Sequence, residues 1–301
     1  MLRIDPKELP VAKLHGYLLG AVAPRPIAFV STVDKDGIRN LSPFSFFNAF
    51  SANPPICVFS PARRGKDNTT KHTFENAKVV DEVVINVVSH DIVQQMSLSS
   101  TDYPREVDEF VKSGLTPIDS ELVRPARVKE SPVQMECKVK EIIELGQEGG
   151  AGNLVICEIL LMHIDEGVLN DQGSIDPNAI DLVARMGGNW YTRANGSSLF
   201  EVEKPRQSIG IGVDQLPESI RNSGVLTGNN LGVLGNVERL LGKEEVAGTL
   251  EDEKIKRIFA AYKSTDPERE NQVHQLAKDL LDDGDVQQAW KVLMTLEFSQ
   301  S

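Results

Sequence analysis

The sequence predicts a mainly β N-terminal domain followed by a helical C-terminal region. Between residues 24 and 165 the apolar residues form short runs, several with the two-residue alternation of a strand that buries one face. Beyond residue 250, apolar residues recur instead at the spacing of amphipathic helices. At 301 residues the chain is longer than a usual single domain. This length favours one large domain with an appendage, or two domains.

Six strands and two helices are predicted before residue 165. The first two strands flank a turn at residues 34–37, where Gly37 is free to take a positive φ. The predicted strands span residues 26–33, 38–47, 56–60, 83–88, 133–145 and 154–164. One helix runs from 71 to about 79, with Asn68, Thr69 and Thr70 as candidate N-caps, and another from 89 to about 98. Strands of this number joined by hairpins are typical of a closed or partly open barrel.

One of these strands has a face in contact with water. Val133, Met135, Cys137 and Val139 alternate with polar residues, as expected for a strand with one buried face. The alternation shifts within residues 141–144, which indicates a β-bulge.

The character of the chain changes after Pro205. Residues 205–250 are rich in Gly and Asn. Three later groups have helical spacing: Ile255, Ile258, Phe259 and Tyr262; Val273, Leu276 and Leu280; Val286, Trp290, Leu293 and Leu296. We therefore predict a domain over residues 1–204 and a loop-rich, helical C-terminal extension over residues 205–301.

Charge and hydropathy exclude several classes of partner. The formal net charge is −12, whereas non-specific binding to nucleic acid or to an anionic membrane needs a positive field. No apolar run approaches the ~20 residues that span a bilayer. The N-terminus carries acidic residues and prolines where a secretory signal has its apolar core. A small phosphorylated ligand stays possible, because it requires only a local basic pocket.

Several familiar motifs are absent from the sequence or have another explanation. Cys57, Cys137 and Cys157 are far apart in apolar runs, so we interpret them as buried thiols in a reducing cytoplasm. The five histidines show no metal-like pairing. The glycine-rich stretch 146–152 precedes a strand rather than a helix, so it is a hairpin loop and not a dinucleotide fingerprint. No G-x-S-x-G or H-E-x-x-H motif supports a hydrolase.

Short polar residues recur within the aromatic stretch that follows the first turn. Asn40, Ser42, Ser45 and Asn48 lie among the phenylalanines of residues 44–50. Small hydroxyls and amides on a strand can meet a flat heterocycle without blocking its approach, while the phenylalanines exclude water. The alternative is a strand whose polar face is solvated, and the sequence leaves both readings open.

A basic stretch occupies residues 63–73. Lys71 and His72 stand at a predicted helix start, where the helix dipole disfavours cations. A bound anion would relieve this conflict, using free backbone N–H groups and nearby arginines. The alternative is an ordinary solvated basic loop. Together with the polar strand, the stretch describes a site for a mononucleotide-like cofactor.

These residues resemble the flavin reductase-like, FMN-binding split-barrel family, and more closely its flavoredoxin-type branch. The resemblance covers about residues 10–200 in the expected order. Its strongest pieces are PRPIAFVST at 24–32, NLSPFS at 40–45 and KHT at 71–73 with Asn76. Supporting stretches are YP at 103–104, DEF at 108–110, GLTP at 114–117, SPV at 131–133 with EC at 136–137, and RMGG at 185–188 with Tyr191.

The resemblance implies a six-stranded split β-barrel that binds FMN non-covalently, usually as a homodimer with the cofactor at or near the subunit interface. Such proteins reduce flavin with NADH or NADPH, or pass electrons onward from bound FMN. The residues implied to face the isoalloxazine ring are Ser31, Thr32, Asn40 and Ser42. Those implied to hold the phosphate are Lys71 and Thr73, helped by Ser60 and Arg63 or Arg64, with Arg25 and Arg185 as further contributors. The family often has Asp where this chain has His72.

Three functions are consistent with this reading. The first is an NAD(P)H-dependent, FMN-binding oxidoreductase. Hydride transfer from the nicotinamide to the flavin requires two aligned rings and no acid–base pair, so no catalytic side chain is assigned. The second is a flavin-binding electron carrier without its own NAD(P)H activity. The third is a non-catalytic scaffold. Residues 205–301 are either an appendage that packs on the dimer, or a partner-docking module or lid.

Overall fold

The computed structural model describes residues 1–202, 204 and 209–299. The chain divides into two compact units, Met1–Phe200 and Glu201–Ser301. The predicted extension begins at residue 205, which lies outside the described residues. No helix among the described residues is both long and apolar enough to cross a membrane.

The first unit is built around an antiparallel sheet. In chain order, the strands of this unit are β1 (Ala28–Val33), β2 (Arg39–Phe44), β3 (Phe47–Ala52), β4 (Pro55–Phe59), β5 (Glu82–Asn86), β6 (Pro117–Ile118), β7 (Arg127–Val128), β8 (Val133–Glu144), β9 (Asn153–Ile164), β10 (Leu182–Arg185) and β11 (Tyr191–Ala194). Seven of them form the main sheet, in the order β2-β1-β5-β8-β9-β4-β3. The pairs β6–β7 and β10–β11 form two small sheets.

The main sheet differs from the prediction in its strand count. The six predicted strands all occur, but the one predicted over residues 38–47 ends at Phe44, and a further strand, β3, follows a bend. β3 has no buried residue and therefore lacks the alternation of buried and exposed positions that reveals a strand in a sequence. Among the described residues β2 and β3 do not pair, so the sheet is not a closed barrel.

Two register shifts interrupt the pairing of β8 with β9. They lie between Glu136 and Cys137 and between Val139 and Glu141. The second immediately precedes the stretch 141–144, where the sequence predicts a bulge. An extra residue in one strand reverses which face the following side chains occupy, which explains the change of alternation.

Five α-helices accompany the strands of this unit: α1 (Val11–Ala21), α2 (His72–Val79), α3 (Val93–Leu98), α4 (Glu109–Ser113) and α5 (Pro177–Ile180). Short 3₁₀ turns occupy Pro6–Glu8, His90–Ile92, Glu166–Val168 and Gly196–Ser198. The helix predicted from residue 89 is thus a 3₁₀ turn followed by α3. The N-cap of α2 is Lys71, without a side-chain capping bond, and not Asn68, Thr69 or Thr70 as predicted.

Strand β1 is buried on both of its faces. Ala28 and Val30 belong to the core between the main sheet and α2, whereas Phe29 packs in a second core with residues of α3 and α4. The polar residues Ser31 and Thr32 are fully buried in the same strand. The three cysteines are free and buried, as predicted.

The second unit is helical. After a 3₁₀ turn at Val213–Gln215 it contains α6 (Glu218–Arg221), α7 (Gly228–Leu234), α8 (Lys243–Leu250), α9 (Glu253–Ala261), α10 (Pro267–Asp282) and α11 (Val286–Phe298). Its own apolar core includes Ile255, Val273, Trp290 and Leu293, all at positions that the helical spacing singles out.

Candidate functional site

A polar cleft lies beside the edge strand β2, where this strand meets the segment before α2 and the segment that leads from α3 into α4. Strand β2 contributes Asn40 and Ser42, and the segment before α2 contributes Arg64 and Lys71. The full lining is Asn40, Ser42, Arg64, Lys71, His72, Ser100, Thr101, Asp102, Tyr103 and Glu109. The cleft therefore joins the predicted ring-binding strand to the predicted phosphate-binding loop.

A larger cavity of about 370 Å³ adjoins the polar cleft, since Ser100 lines both. Its lining is Ile27, Pro43, Ser45, Met96, Ser97, Ser100, Arg185, Asn189 and Tyr191. The guanidinium of Arg185 lies 4.6 Å from the centre of the Tyr191 ring, within the range of a cation–π contact. We call this space the adjoining cavity.

Asn40 is held at both ends of its side-chain amide. Its Oδ1 accepts a hydrogen bond from the Thr73 hydroxyl at 2.6 Å, and its Nδ2 donates to Glu109 Oε1 at 2.9 Å. The other carboxylate oxygen of Glu109, Oε2, accepts from the backbone N–H of Leu41 at 3.0 Å. These bonds connect β2 with the first turns of α2 and α4.

Glu109 is a buried carboxyl group, with 3% of the residue exposed. Burial raises its pKa, because water no longer stabilises the charged form, while the bonds from Leu41 and Asn40 act in the opposite direction. α4 begins at this residue, and Asp108 caps the helix by accepting from the backbone N–H of Phe110. The cap and the helix start fix where the Glu109 side chain leaves the backbone.

Three cations converge on Asp102. Lys71 Nζ lies 3.0 Å and Arg64 Nε 3.1 Å from its Oδ1, and Lys66 Nζ lies 2.9 Å from its Oδ2. Hydrogen bonds from Lys66, Lys71 and Arg64 lower the pKa of Asp102 well below its usual range. We call these four residues the Asp102 cluster.

Other partners fix the surroundings of this cluster. Arg64 also donates from Nη1 to Thr69 Oγ1 at 3.1 Å and to the carbonyl oxygen of Thr70. Burial and the nearby Arg105 guanidinium lower the pKa of His72, which favours the neutral imidazole.

The structure brings six of the predicted site residues to the two spaces: Asn40, Ser42, Arg64 and Lys71 line the polar cleft, Thr73 bonds to Asn40, and Arg185 lines the adjoining cavity. Thr32 is buried behind them and accepts from Asn76 Nδ2 at 3.1 Å. The hydroxyl of Ser31 is buried and has no hydrogen-bond partner among the described residues.

Three predicted residues have other partners and do not appear in the described linings of either space. Arg25 is buried and donates to the carbonyl oxygens of Leu19 and Met186 at 2.6 and 2.9 Å. Arg63 donates from Nε and Nη2 to Asn68, both at 2.8 Å. Ser60 accepts from the backbone N–H of Asn153 at 3.1 Å. Their assignment to a flavin stays a prediction.

The phenylalanines do not have the sheltering role that the sequence suggests. Phe44 is buried in the core, with its ring 5.5 Å from that of Phe59, while Phe46 and Phe50 are exposed. No phenylalanine occurs in the described linings of the polar cleft and the adjoining cavity. Apolar contacts in the adjoining cavity come instead from residues such as Ile27, Met96 and Tyr191.

Sequence reasoning passed over the two acidic residues of the cleft. Glu109 lies in the stretch DEF at 108–110 and Asp102 directly precedes YP at 103–104; both stretches support the family resemblance, but neither acidic residue is assigned a role. Acidic residues are usually exposed, so their sequence positions alone do not reveal burial or convergence. The stretches themselves were the only available signal.

Comparison with known proteins supports the same family. A family model described as "Flavin reductase like domain" matches residues 20–179. An uncharacterized protein of Aquifex aeolicus is 36% identical over 196 residues, which are 65% of this chain and 97% of that protein.

Two solved structures are similar to the first unit. Nitrilotriacetate monooxygenase component B from Bacillus cereus is 31% identical, with a TM-score of 0.63, and the match covers 67% of this chain and 98% of that one. A putative flavin reductase with a split barrel domain from Shewanella frigidimarina is 26% identical, with a TM-score of 0.58, over 68% and 100% of the two chains. The split barrel domain of that protein supports the predicted split-barrel class, although the main sheet here has seven strands.

Proposed function

The chain belongs to the flavin reductase-like family, and on that premise we propose that it is an FMN-binding oxidoreductase that uses NADH or NADPH to reduce flavin. One observation carries the proposal. The polar cleft brings Asn40 and Ser42 of an edge strand together with the cations Arg64 and Lys71. A flat polar ring joined to a phosphate needs these two kinds of group side by side.

The donors of the polar cleft fit a phosphate. Arg64 and Lys71 supply positive charge and charged N–H donors. Thr73 acts through Asn40, to which its hydroxyl already donates. In this proposal the phosphate end of the cofactor therefore lies near Lys71.

The ring system fits along β2 and into the adjoining cavity. As an edge strand, β2 has one side of its backbone without a partner strand. The N–H of Leu41 already donates to Glu109, so the side chains of Asn40 and Ser42 are the groups that would meet the polar edge of a heterocycle. Ile27, Met96 and Tyr191 provide apolar surface that excludes water, and Arg185 adds a positive charge. When bound, FMN supplies a ring that accepts a hydride. The chain's own contribution is to orient that ring and to balance its charge.

We also propose a homodimer and a cytoplasmic location. Val11 and Leu18 of α1 are exposed, as are Phe46 and Phe50 at β3, and His15 and Phe46 place α1 next to β3, with their rings 6.1 Å apart. We call these four exposed residues the α1–β3 surface; an apolar surface of this kind suits contact with a second copy. The three buried thiols suit a reducing compartment.

Anaerobic reduction tests the proposal. Protein loaded with FMN is mixed with NADH and, separately, with NADPH while the flavin absorbance is followed. We expect one or both nucleotides to bleach the flavin faster than they bleach free FMN. Bound flavin that stays oxidised with both nucleotides would favour the electron-carrier function instead, and protein that binds no flavin would contradict both.

A further inference from the structure

Asp102 occupies the position that the proposed function requires for an anion. Its carboxylate accepts from Lys71 and Arg64, the two cations of the polar cleft, at 3.0 and 3.1 Å. Asp102 itself lines this cleft. The donors that we assign to the flavin phosphate are therefore already bonded to a group of the chain.

The cations differ in how far they reach into solvent. The side chain of Arg64 is 14% exposed and that of Lys71 is 31% exposed, while that of Lys66 is 64% exposed. Arg64 is further fixed by its bonds to the hydroxyl of Thr69 and the carbonyl of Thr70. Arg64 is thus positioned without help from Asp102, so holding this cation in place is not the carboxylate's main effect.

The charges of the Asp102 cluster match a phosphate monoester. Three cations and one carboxylate give a net charge of +2 for Arg64, Lys66, Lys71 and Asp102 together. A phosphate monoester carries about −1.5 to −2 at neutral pH. The cluster can therefore bind a phosphate with little net charge left over. The phosphate can reach the cations only if the carboxylate of Asp102 gives up part of its contact with them.

We propose that Asp102 is an internal counter-anion that competes with the flavin phosphate for Arg64 and Lys71 and thereby sets the affinity for FMN. This inference rests on the proposed function. Binding of FMN exchanges the carboxylate for the phosphate at Arg64 and Lys71, the two less exposed cations, while Lys66, which lies further out, can keep its bond to Asp102. Because each flavin that binds must displace this contact, the flavin stays exchangeable.

Removal of the charge at Asp102 tests the proposal. In Asp102→Asn the cations lose their internal partner, so we expect the Kd for FMN to fall by about threefold to tenfold, the range that a few partly exposed ion pairs provide. The Kd for riboflavin, which has no phosphate, should not change. Both affinities are measured by quenching of flavin fluorescence at constant ionic strength.

Asp67→Asn is the matched control. Asp67 lies in the same loop as Arg64 and Lys66 and accepts from Thr69 rather than from the cations. Its substitution by Asn removes one negative charge but keeps an oxygen that can accept from Thr69, so the bonds that fix Arg64 are retained. We expect a smaller effect on FMN than Asp102→Asn produces. Inorganic phosphate provides a second probe, since it should raise the Tm of Asp102→Asn more than that of the wild type.

The outcomes distinguish a failure of the counter-anion role from a failure of the proposed function. If Asp102→Asn binds riboflavin but binds FMN with an affinity equal to or weaker than that of the wild type, the counter-anion role is overturned. The proposed function would still hold in that case. An equal effect of Asp67→Asn would overturn that role as well, because any nearby charge would then suffice. Wild-type protein that binds neither flavin would overturn the proposed function, and the inference with it.

Discussion

Lys71 combines two features that bear on its proposed role. It is the N-cap residue of α2 and lines the polar cleft, and its ammonium group bonds to Asp102. Free N–H groups at a helix start attract anions, so the backbone and the side chain favour the same kind of ligand.

Lys71→Ala should weaken FMN binding by about tenfold or more, because a hydrogen bond to a charged phosphate is lost. Riboflavin binding should change little, and the ratio of the two affinities is the measured quantity. Lys78→Ala is the control, since Lys78 lies on the same helix but pairs with Glu144 and is absent from the described lining of the cleft. Equal losses for both flavins would place the phosphate elsewhere.

Glu109 accepts hydrogen bonds through both carboxylate oxygens, from Asn40 Nδ2 and from the N–H of Leu41. In Glu109→Gln one of these donors faces an NH₂ group and loses its acceptor. We expect the free energy of unfolding to fall by about 1–3 kcal/mol, although the substitution also removes a buried charge. Denaturant unfolding measures this, with the exposed Glu106→Gln as control. A variant as stable as the wild type would show that these bonds contribute little.

The sequence identifies part of this site and not the rest. Asn40 and Lys71 stand out because an amide within an aromatic strand and a cation at a helix start are both locally unusual. Glu109 and Asp102 do not stand out, because what distinguishes them is burial and convergence between loops distant in sequence. Arg25 is implied as a phosphate contributor only by the family resemblance; its guanidinium donates to backbone carbonyls and to Ser45, and its role towards a flavin stays a prediction.

Among the longer secondary-structure elements of the first unit, those that contribute buried residues to a core are the ones that the sequence predicts. The short elements α4, α5, β7 and β10 also bury an apolar residue each, but with two to five residues they are too short to show a period. Strands β1, β5, β8 and β9 are found because they contribute to the core. Helix α1 and strand β3 are missed, and neither contains a buried residue. Without a core to face, their apolar residues follow no period, and Gly16 and Gly20 further weaken the helical signal in α1.

Helix α10 carries a buried histidine that makes the second unit sensitive to acid. His274 is 1% exposed, and its Nδ1 lies 2.8 Å from the Ser223 hydroxyl. Its Nε2 has no hydrogen-bond partner among the described residues. Burial lowers its pKa from 6.5 to about 4. Between these values the unfolded chain binds a proton that the folded unit does not.

The stability of the second unit should therefore be complete above pH 6.5 and fall as the pH is lowered towards 4, by about 3 kcal/mol in total. Trp290 lies in the core of this unit, and Trp190→Phe leaves it as the sole tryptophan, so its fluorescence reports unfolding. His274→Gln, which cannot ionise, should lose this part of the pH dependence. Identical pH profiles with and without the histidine would contradict the assignment.

For the molecule as a whole, local charge matters more to the proposed function than net charge. The chain carries −12 overall, yet three cations meet at the Asp102 cluster. Net charge therefore bears on non-specific partners and not on a phosphate in one cleft. That residues 205–301 pack on a dimer, or serve as a docking module or lid, stays a prediction.

The proposed homodimer depends on the α1–β3 surface. Phe50 is 68% exposed on β3, so Phe50→Arg should place a charge in the interface and shift the protein from dimer to monomer in analytical ultracentrifugation. Val111→Arg is the control, because Val111 is equally apolar and exposed but lies on α4. A wild-type monomer at every concentration would contradict the proposal.

The most direct test of a flavin site in this chain is a fluorescence titration of FMN with the purified protein. If the polar cleft and the adjoining cavity together hold a flavin, the emission of FMN should change saturably, with one flavin bound per chain and a lower affinity for riboflavin. No saturable change with either flavin would contradict the claim that these two spaces form a flavin site.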